Sequence, residues 1–285
     1  MIIKLPQADF SADNIGTVTA PRTLSAFTLA AIEASGRTDL TDLQKAALDD
    51  FFIAIGAGEA GATIASKITY LFIPSIAGEL AKSLINYKDS DFTVVKTPDS
   101  SVWSVNYKGL VASDNGSSKA ITITLSSPIM ENNACLLFFR GDLFGNTNPG
   151  NQHYLSIRGA TNTSKWLSMY QYYNTGNPDK TFTTGGLPSQ WIIGGYTETY
   201  PTINGYNLTS GGAKKIIAGE VTSVTAPSVD MSTEASQTIY AFGMSSKNTI
   251  PTAFAMLGQG LTDTELTDLL PVIGRLRDAL LSVNL

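Results

Sequence analysis

Between about residue 92 and residue 258 the chain is written in short apolar or alternating runs, broken by turn clusters at roughly ten-residue spacing. The runs read as strands at residues 92–95, 102–107, 120–125, 134–140, 154–158, 166–172, 190–196, 202–206, 215–221, 237–245 and 252–257. The punctuation is Asp114-Asn-Gly-Ser117, Gly145-Asn-Thr-Asn-Pro-Gly150, Asn174-Thr-Gly-Asn-Pro178, Thr184-Gly-Gly186, Asn204-Gly205 and Ser210-Gly-Gly212. Each cluster supplies a positive φ or an Asx turn where the chain must reverse. No helical period interrupts the series, so a parallel α/β sheet is excluded and an antiparallel sandwich or barrel is expected.

Helical patterns flank this region. Ser25 can cap a helix over residues 26–33 that Gly36 stops, and Thr41 can cap Asp42–Ile55, ended by Gly56. Leu43, Ala47, Leu48, Phe51, Phe52 and Ile55 make one apolar face of that second helix, and Asp39 and Asp42 suit the positive end of its dipole. Ile64, Ile68, Leu71 and Phe72 continue the helical spacing, so residues 60–72 are expected as a third helix closed by Pro74. Near the end, Thr262 and Glu265 form a capping box for a helix over 262–283, with a stripe of Leu266, Leu269, Leu270, Ile273, Leu276 and Leu280. Pro271 falls inside that stripe and predicts a kink or a restart. The expected organisation is an N-terminal arm (1–36), a helical lead-in (37–90), and a sandwich carrying the last helix (91–285).

Charged residues are 15% of the chain, where soluble domains carry about 25%, and the balance is net −5. That offers no footprint for a phosphate backbone, so nucleic acid is not an expected partner. The single His (His153) and single Cys (Cys135) cannot build the usual zinc site, and no disulfide framework exists. Cys135 lies in an apolar run and reads as a buried small hydrophobe. No stretch approaches the ~20 apolar residues of a membrane span, and the start lacks the pattern of a signal peptide.

Two segments carry a resemblance. Ala253-Phe-Ala-Met-Leu-Gly-Gln-Gly-Leu-Thr-Asp-Thr-Glu-Leu266 resembles the closing segment of concanavalin A-like (laminin G-like) domains, in which a last strand leads into a terminal helix. The stretch from Leu43-Gln-Lys-Ala to Ile68-Thr-Tyr-Leu-Phe-Ile-Pro-Ser-Ile-Ala77 resembles the helical lead-in of tailed-bacteriophage structural proteins. The resemblance implies a concanavalin A-like jelly roll preceded by a helical region and closed by a C-terminal helix. It also implies a virion protein (head or tail fibre, spike or decoration) made in the bacterial host cytoplasm and leaving on the particle. Other virion proteins, through the N-terminal arm, and further copies of the chain, as a dimer or trimer, are the implied partners.

Glycosidases share such sandwiches, so an enzyme has to be considered. Retaining enzymes with this fold need carboxylates at alternate strand positions, ~5–5.5 Å apart. No Glu-x-Asp-x-Glu occurs; Glu131, Asp142, Asp179, Glu198, Glu220, Asp230 and Glu234 stand singly or beside turns. No Gly-x-Ser-x-Gly elbow partners His153, and Gly56-Ala-Gly-Glu-Ala-Gly61 follows a helix rather than the strand a dinucleotide loop requires. The chain is therefore expected to be non-catalytic, without cofactor; Asp142, Asn146 and Asn148 are loose candidates for calcium oxygens and make no metal site on their own.

Glycan adhesion is the expected binding function. Aromatic faces meet pyranose rings and amides meet hydroxyls, and Trp166-Leu-Ser-Met-Tyr-Gln-Tyr-Tyr-Asn174 supplies both. Trp166, Ser168, Tyr170 and Tyr172 alternate with Leu167, Met169, Gln171 and Tyr173, so one set belongs to the core. The candidate ligand-binding residues are Tyr172, Tyr173, Asn174, Tyr196 and Tyr200. A glycan-degrading depolymerase and a purely architectural capsid or tail protein are the alternatives.

Overall fold

A computed structural model describes residues 22–59, 61–112, 121–125, 133–142, 152–159, 166–174, 177–185, 190–193, 201–217, 219–224, 237–241 and 251–281. The helices are α1 (Ala26–Ser35), α2 (Asp42–Ile55), α3 (Thr63–Lys67) and α4 (Asp263–Leu281). The strands are β1 (Ile68–Phe72), β2 (Trp103–Asn106), β3 (Gly109–Ala112), β4 (Ile121–Leu125), β5 (Ala134–Arg140), β6 (Gln152–Gly159) and β7 (Trp166–Asn174). They continue with β8 (Asn177–Gly185), β9 (Gln190–Ile193), β10 (Ile203–Thr209), β11 (Gly212–Ile217), β12 (Glu220–Val224), β13 (Gln237–Ala241) and β14 (Thr252–Gly258). The fold is mainly antiparallel β-sheet with a few helices.

The caps act as the residue types dictate. The Ser25 hydroxyl accepts the Thr28 N–H, and Gly36 closes α1 at φ 71. Thr41 and Gln44 form a reciprocal capping box on α2, and Gly56 closes it at φ 70. A left-handed residue at each stop is what glycine supplies at least cost.

Four expectations need correction. Residues 60–72 are not one helix: α3 holds five residues, and Ile68–Phe72 form β1, paired antiparallel with β14. Ile68, Thr69, Tyr70, Leu71 and Phe72 are β-branched, aromatic or large and apolar, and a sheet edge to pair with outweighs the helical spacing. Residues 92–95 make only an isolated bridge, Val94 to Ile85, because Phe92 sits at φ 45 and cannot extend a strand. Residues 215–221 are not one strand; β11 and β12 form a hairpin around Gly219 at φ 78. Pro271 starts no new helix, since α4 runs through it. Leu266, Leu269 and Leu270 before it and Ile273, Leu276 and Leu280 after it are buried in one core.

Two sheets carry the strands. An eight-stranded sheet has the order β12-β11-β10-β5-β14-β3-β2, with β1 also paired to β14; a six-stranded sheet has the order β4-β13-β6-β7-β8-β9. Strand β5 shows how the layers stack, because all seven of its residues are buried. Cys135, Leu137 and Phe139 join one core with α1, α2 and α4, through Ala31, Leu48, Phe51, Ile273 and Leu276. Ala134, Leu136 and Phe138 join a second core with Ile121, Ile123 and Leu125 of β4. The eight-stranded sheet is therefore covered on one face by helices and on the other by the second sheet, at β4. Fully burying each of these large side chains contributes about 1.5–3 kcal/mol.

Candidate functional site

Strand β4, at one end of the six-stranded sheet, alternates between buried and exposed residues. Ile121, Ile123 and Leu125 are buried, whereas Thr122 and Thr124 are exposed. Directly opposed residues of an antiparallel ladder share a face, so register extends this assignment across the sheet. The Ile123 row continues through Ile239, Ile157 and Leu167, and the Ile121 row through Ala241, Leu155 and Met169. Both rows are in register with the buried residues of β4.

The rows in register with the exposed Thr122 and Thr124 have another composition. Thr122 is followed by Tyr240, Ser156, Ser168, Thr184 and Gln190, one residue from each strand. Thr124 is followed by Thr238, Arg158 and Trp166. Beyond the first row, Tyr170 pairs with Phe182, which in turn pairs with Ile192, and Tyr172 pairs with Lys180. Of the two alternating sets on β7, the one with Trp166, Ser168, Tyr170 and Tyr172 is in register with Thr122 and Thr124 of β4. Hydroxyls and amides predominate in the first row, with aromatic positions on either side.

Three of the sequence-nominated residues fall together. Tyr172, Tyr173 and Asn174 end β7, with Tyr172 opposite Lys180 and Asn174 opposite Asn177. The register shifts between Tyr172 and Asn174, which makes Tyr173 the irregular residue at the mouth of the β7–β8 hairpin. Tyr196 and Tyr200 lie outside the described residues, as do Asn146 and Asn148. The first outward row itself was not nominated, because no single run displays it; each strand contributes one residue, and only register assembles them.

A second polar group lies inside the molecule. Arg140, Thr202, Asn204 and Thr252 are 1%, 8%, 1% and 0% exposed. Arg140 ends β5, on the face of Leu136 and Phe138, and stands opposite Thr252. Asn204 Nδ2 donates to the carbonyl and the hydroxyl of Thr202, at 3.1 and 3.2 Å. Such burial makes these groups part of the packing between the layers rather than a surface open to a ligand. At the rim above them Lys108 Nζ donates to Asp142, and that hydrogen bond raises the lysine pKa against the opposing effect of burial. Asp142 is therefore engaged by an ammonium. Among the described residues no three His, Cys, Asp or Glu side chains group as metal ligands. Cys135 is buried at 1% exposure as expected, and burial pushes its thiol pKa up, away from nucleophilic use.

The segment 253–266 owes its residue types to a junction. A Cβ at Gly258 would stand 2.1 Å from the Lys67 carbonyl oxygen, and one at Gly260 2.1 Å from that of Leu208. Buried Asn207 closes the gap between them, accepting from Leu261 N–H and donating to Leu261 C=O, both at 2.7 Å. Glu265 accepts from Thr262 N–H at 2.7 Å and from Lys67 Nζ at 2.8 and 2.6 Å. Burial acts to raise the Glu265 pKa, but the Lys67 and Thr262 donors outweigh it and hold it below the usual range.

No family model matches the chain, and no curated protein matches it. Three solved structures of Trypanosoma rangeli sialidase are similar in fold at 11% sequence identity. One, a complex with 2,3-difluorosialic acid described as a covalent intermediate, aligns over 80% of this chain with a TM-score of 0.51. The other two, one of them with a 2,3-difluoro-nononic acid, align over 82% with TM-scores of 0.49. The chain spans about two-fifths of the length of these sialidases, at 38–40%. The likeness is one of β-sandwich architecture.

Proposed function

We propose that this chain is a virion structural protein whose sandwich, concanavalin A-like in type, binds host-surface glycan through the outward face of its six-stranded sheet. The observation that carries the reading is the row of Thr122, Tyr240, Ser156, Ser168, Thr184 and Gln190, flanked by Trp166, Tyr170 and Tyr172. Hydroxyls and a planar amide match sugar hydroxyls, and the neighbouring aromatic positions match the apolar face of a pyranose. Tyr172, Tyr173 and Asn174 form the corner of the proposed site, and no residue is assigned a catalytic role. The virion assignment is supported by the resemblance at 43–77 and 253–266, and by a charged fraction of only 15%.

The arm preceding α1 is the proposed attachment to other virion proteins. Its test must spare α1, because Arg22, Ser25 and Thr28 are bonded to Asp49 of α2. Deleting residues 2–21 should leave the domain folded and lower its incorporation into particles at least tenfold; unchanged incorporation would remove the anchoring role. A glycan array with a reducing-sugar assay tests the surface. Binding without sugar release is expected, and Tyr172→Ala together with Asn174→Ala should weaken it about tenfold, one or two lost contacts of ~1 kcal/mol each. Sugar release would replace adhesion with depolymerisation, and no binding to any host glycan would leave an architectural protein.

A further inference from the structure

We propose that the free edge of β4 is a dimerisation surface, and that its occupant is β4 of a second copy of this chain. Strand β4 ends the six-stranded sheet and is paired on one side by β13. Among the described residues, Ile121–Leu125 have no backbone hydrogen bond beyond that ladder. Such an edge presents a row of unmet donors and acceptors, which proteins usually guard with charge, proline or a bulge. The eight-stranded sheet guards its own edge in this way: β12 opens with exposed Glu220 and lies against Lys214 and Lys215 of β11. Ile-Thr-Ile-Thr-Leu carries no charge, proline or glycine, and its ladder with β13 is regular.

The sequence of β4 is also self-complementary. Two copies paired antiparallel about a two-fold axis at Ile123 set Ile121 opposite Leu125, Thr122 opposite Thr124 and Ile123 opposite itself. The apolar row then continues across the axis on the core side, and threonine meets threonine on the outward side. The same pairing is already realised once within the chain, where Ile123 opposes Ile239 and Thr124 opposes Thr238. Nothing charged is brought together, so the net −5 of each copy acts only from a distance and is screened by salt. A five-residue ladder falls short of the ~1,000 Å² that a stable interface buries, which makes the dimer a reversible, micromolar one. The two outward faces would become one continuous surface. The inference does not depend on what that surface binds.

Sedimentation equilibrium of the whole chain across micromolar concentrations tests this. The mass should rise from one chain to two, and amide exchange at residues 121–125 should slow as the dimer forms. Thr122→Lys combined with Thr124→Lys sets lysine against lysine twice and should raise the dissociation constant about tenfold or more. Thr122→Lys combined with Thr124→Glu sets opposite charges across the axis and should restore it to within about threefold. Both positions are exposed, so the thermal midpoint should stay within about 2 °C in either variant. A one-chain mass throughout, exchange at 121–125 that ignores concentration, or a dimer indifferent to the double lysine variant would each overturn the proposal.

Discussion

The two faces of the eight-stranded sheet solve the same problem with different materials. The helix-side core is nearly all hydrocarbon: the Phe139 and Phe254 rings stack at 5.1 Å, and Phe51 meets Phe254 edge-on at 5.5 Å. Asp49 there accepts from Ser25 N–H at 2.9 Å, Thr28 Oγ1 at 2.8 Å and Arg22 at 2.9 Å. Asn207, opposite Cys135 on β10, is answered by the Leu261 backbone. The face toward the second sheet carries Arg140, Asn204, Thr252 and Tyr206 among its apolar residues. A helical face can be filled by one amphipathic stripe, whereas a sheet-on-sheet core must also seal the ends of its strands, where polar residues begin.

Phe138 and Phe139 make the sharpest comparison, because they are neighbours on β5 and serve opposite faces. Phe138→Ala and Phe139→Ala should each cost about 3–5 kcal/mol in urea unfolding. A loss below about 1 kcal/mol at Phe138 alone would show that the sheet-side core is not closed. Asn207→Ala should cost about 2–4 kcal/mol, since it leaves both Leu261 backbone groups buried without partners; a loss near zero would mean that water replaces the amide.

Asp49→Asn should cost about 1–3 kcal/mol near neutral pH. Burial acts to raise the Asp49 pKa, but Ser25, Thr28 and Arg22 outweigh it and hold it below the usual carboxylate range. A carboxylate depressed in the folded state binds protons more readily when unfolded. The stability from Asp49 and Glu265 is therefore full above the ordinary carboxyl pKa of about 4 and is lost as pH falls through the depressed values. Thermal midpoints measured downward from pH 6 should fall less steeply in Asp49→Asn than in the parent. The smallest effect belongs to the tyrosines. Tyr87 on the helix side and Tyr206 on the sheet side each bury a hydroxyl that has no hydrogen-bond partner among the described residues. Phenylalanine at either position should be neutral or stabilising by up to about 1 kcal/mol, and a clear loss at one face would reveal a bond made there.

The same division explains what could be read in advance. Caps and stripes are local, so Ser25, Gly36, Thr41, Gly56 and the Thr262–Glu265 box were legible, as was β5 from end to end. Strand β1 was not, because its apolar spacing suits a helix and only a partner strand far along the chain makes it extended. Strand β8 begins inside a segment whose Asn, Gly and Pro read as a turn. The proposed surface is contiguous in the sequence only at Tyr172, Tyr173 and Asn174; the rest of it is a cross-strand row that pairing assembles. A period of two says that residues alternate, and it leaves the inward set to be decided by pairing.

Strand β14 holds β5, β3 and β1 in place at once. Ser75 Oγ reaches the Ala253 carbonyl 178 residues on, and Lys67 reaches Glu265 198 residues on. A ribosome that has delivered β1 through β13 has thus not yet delivered the strand that joins β1, β3 and β5. Loops of this length close slowly, and edges left waiting are open to wrong partners. The joining of β1 and β3 to β5 is expected only after synthesis of residue 258, and stalled nascent chains ending before β14 should be protease-sensitive at β1 and β3. Time, as much as packing, is then a quantity that this topology fixes.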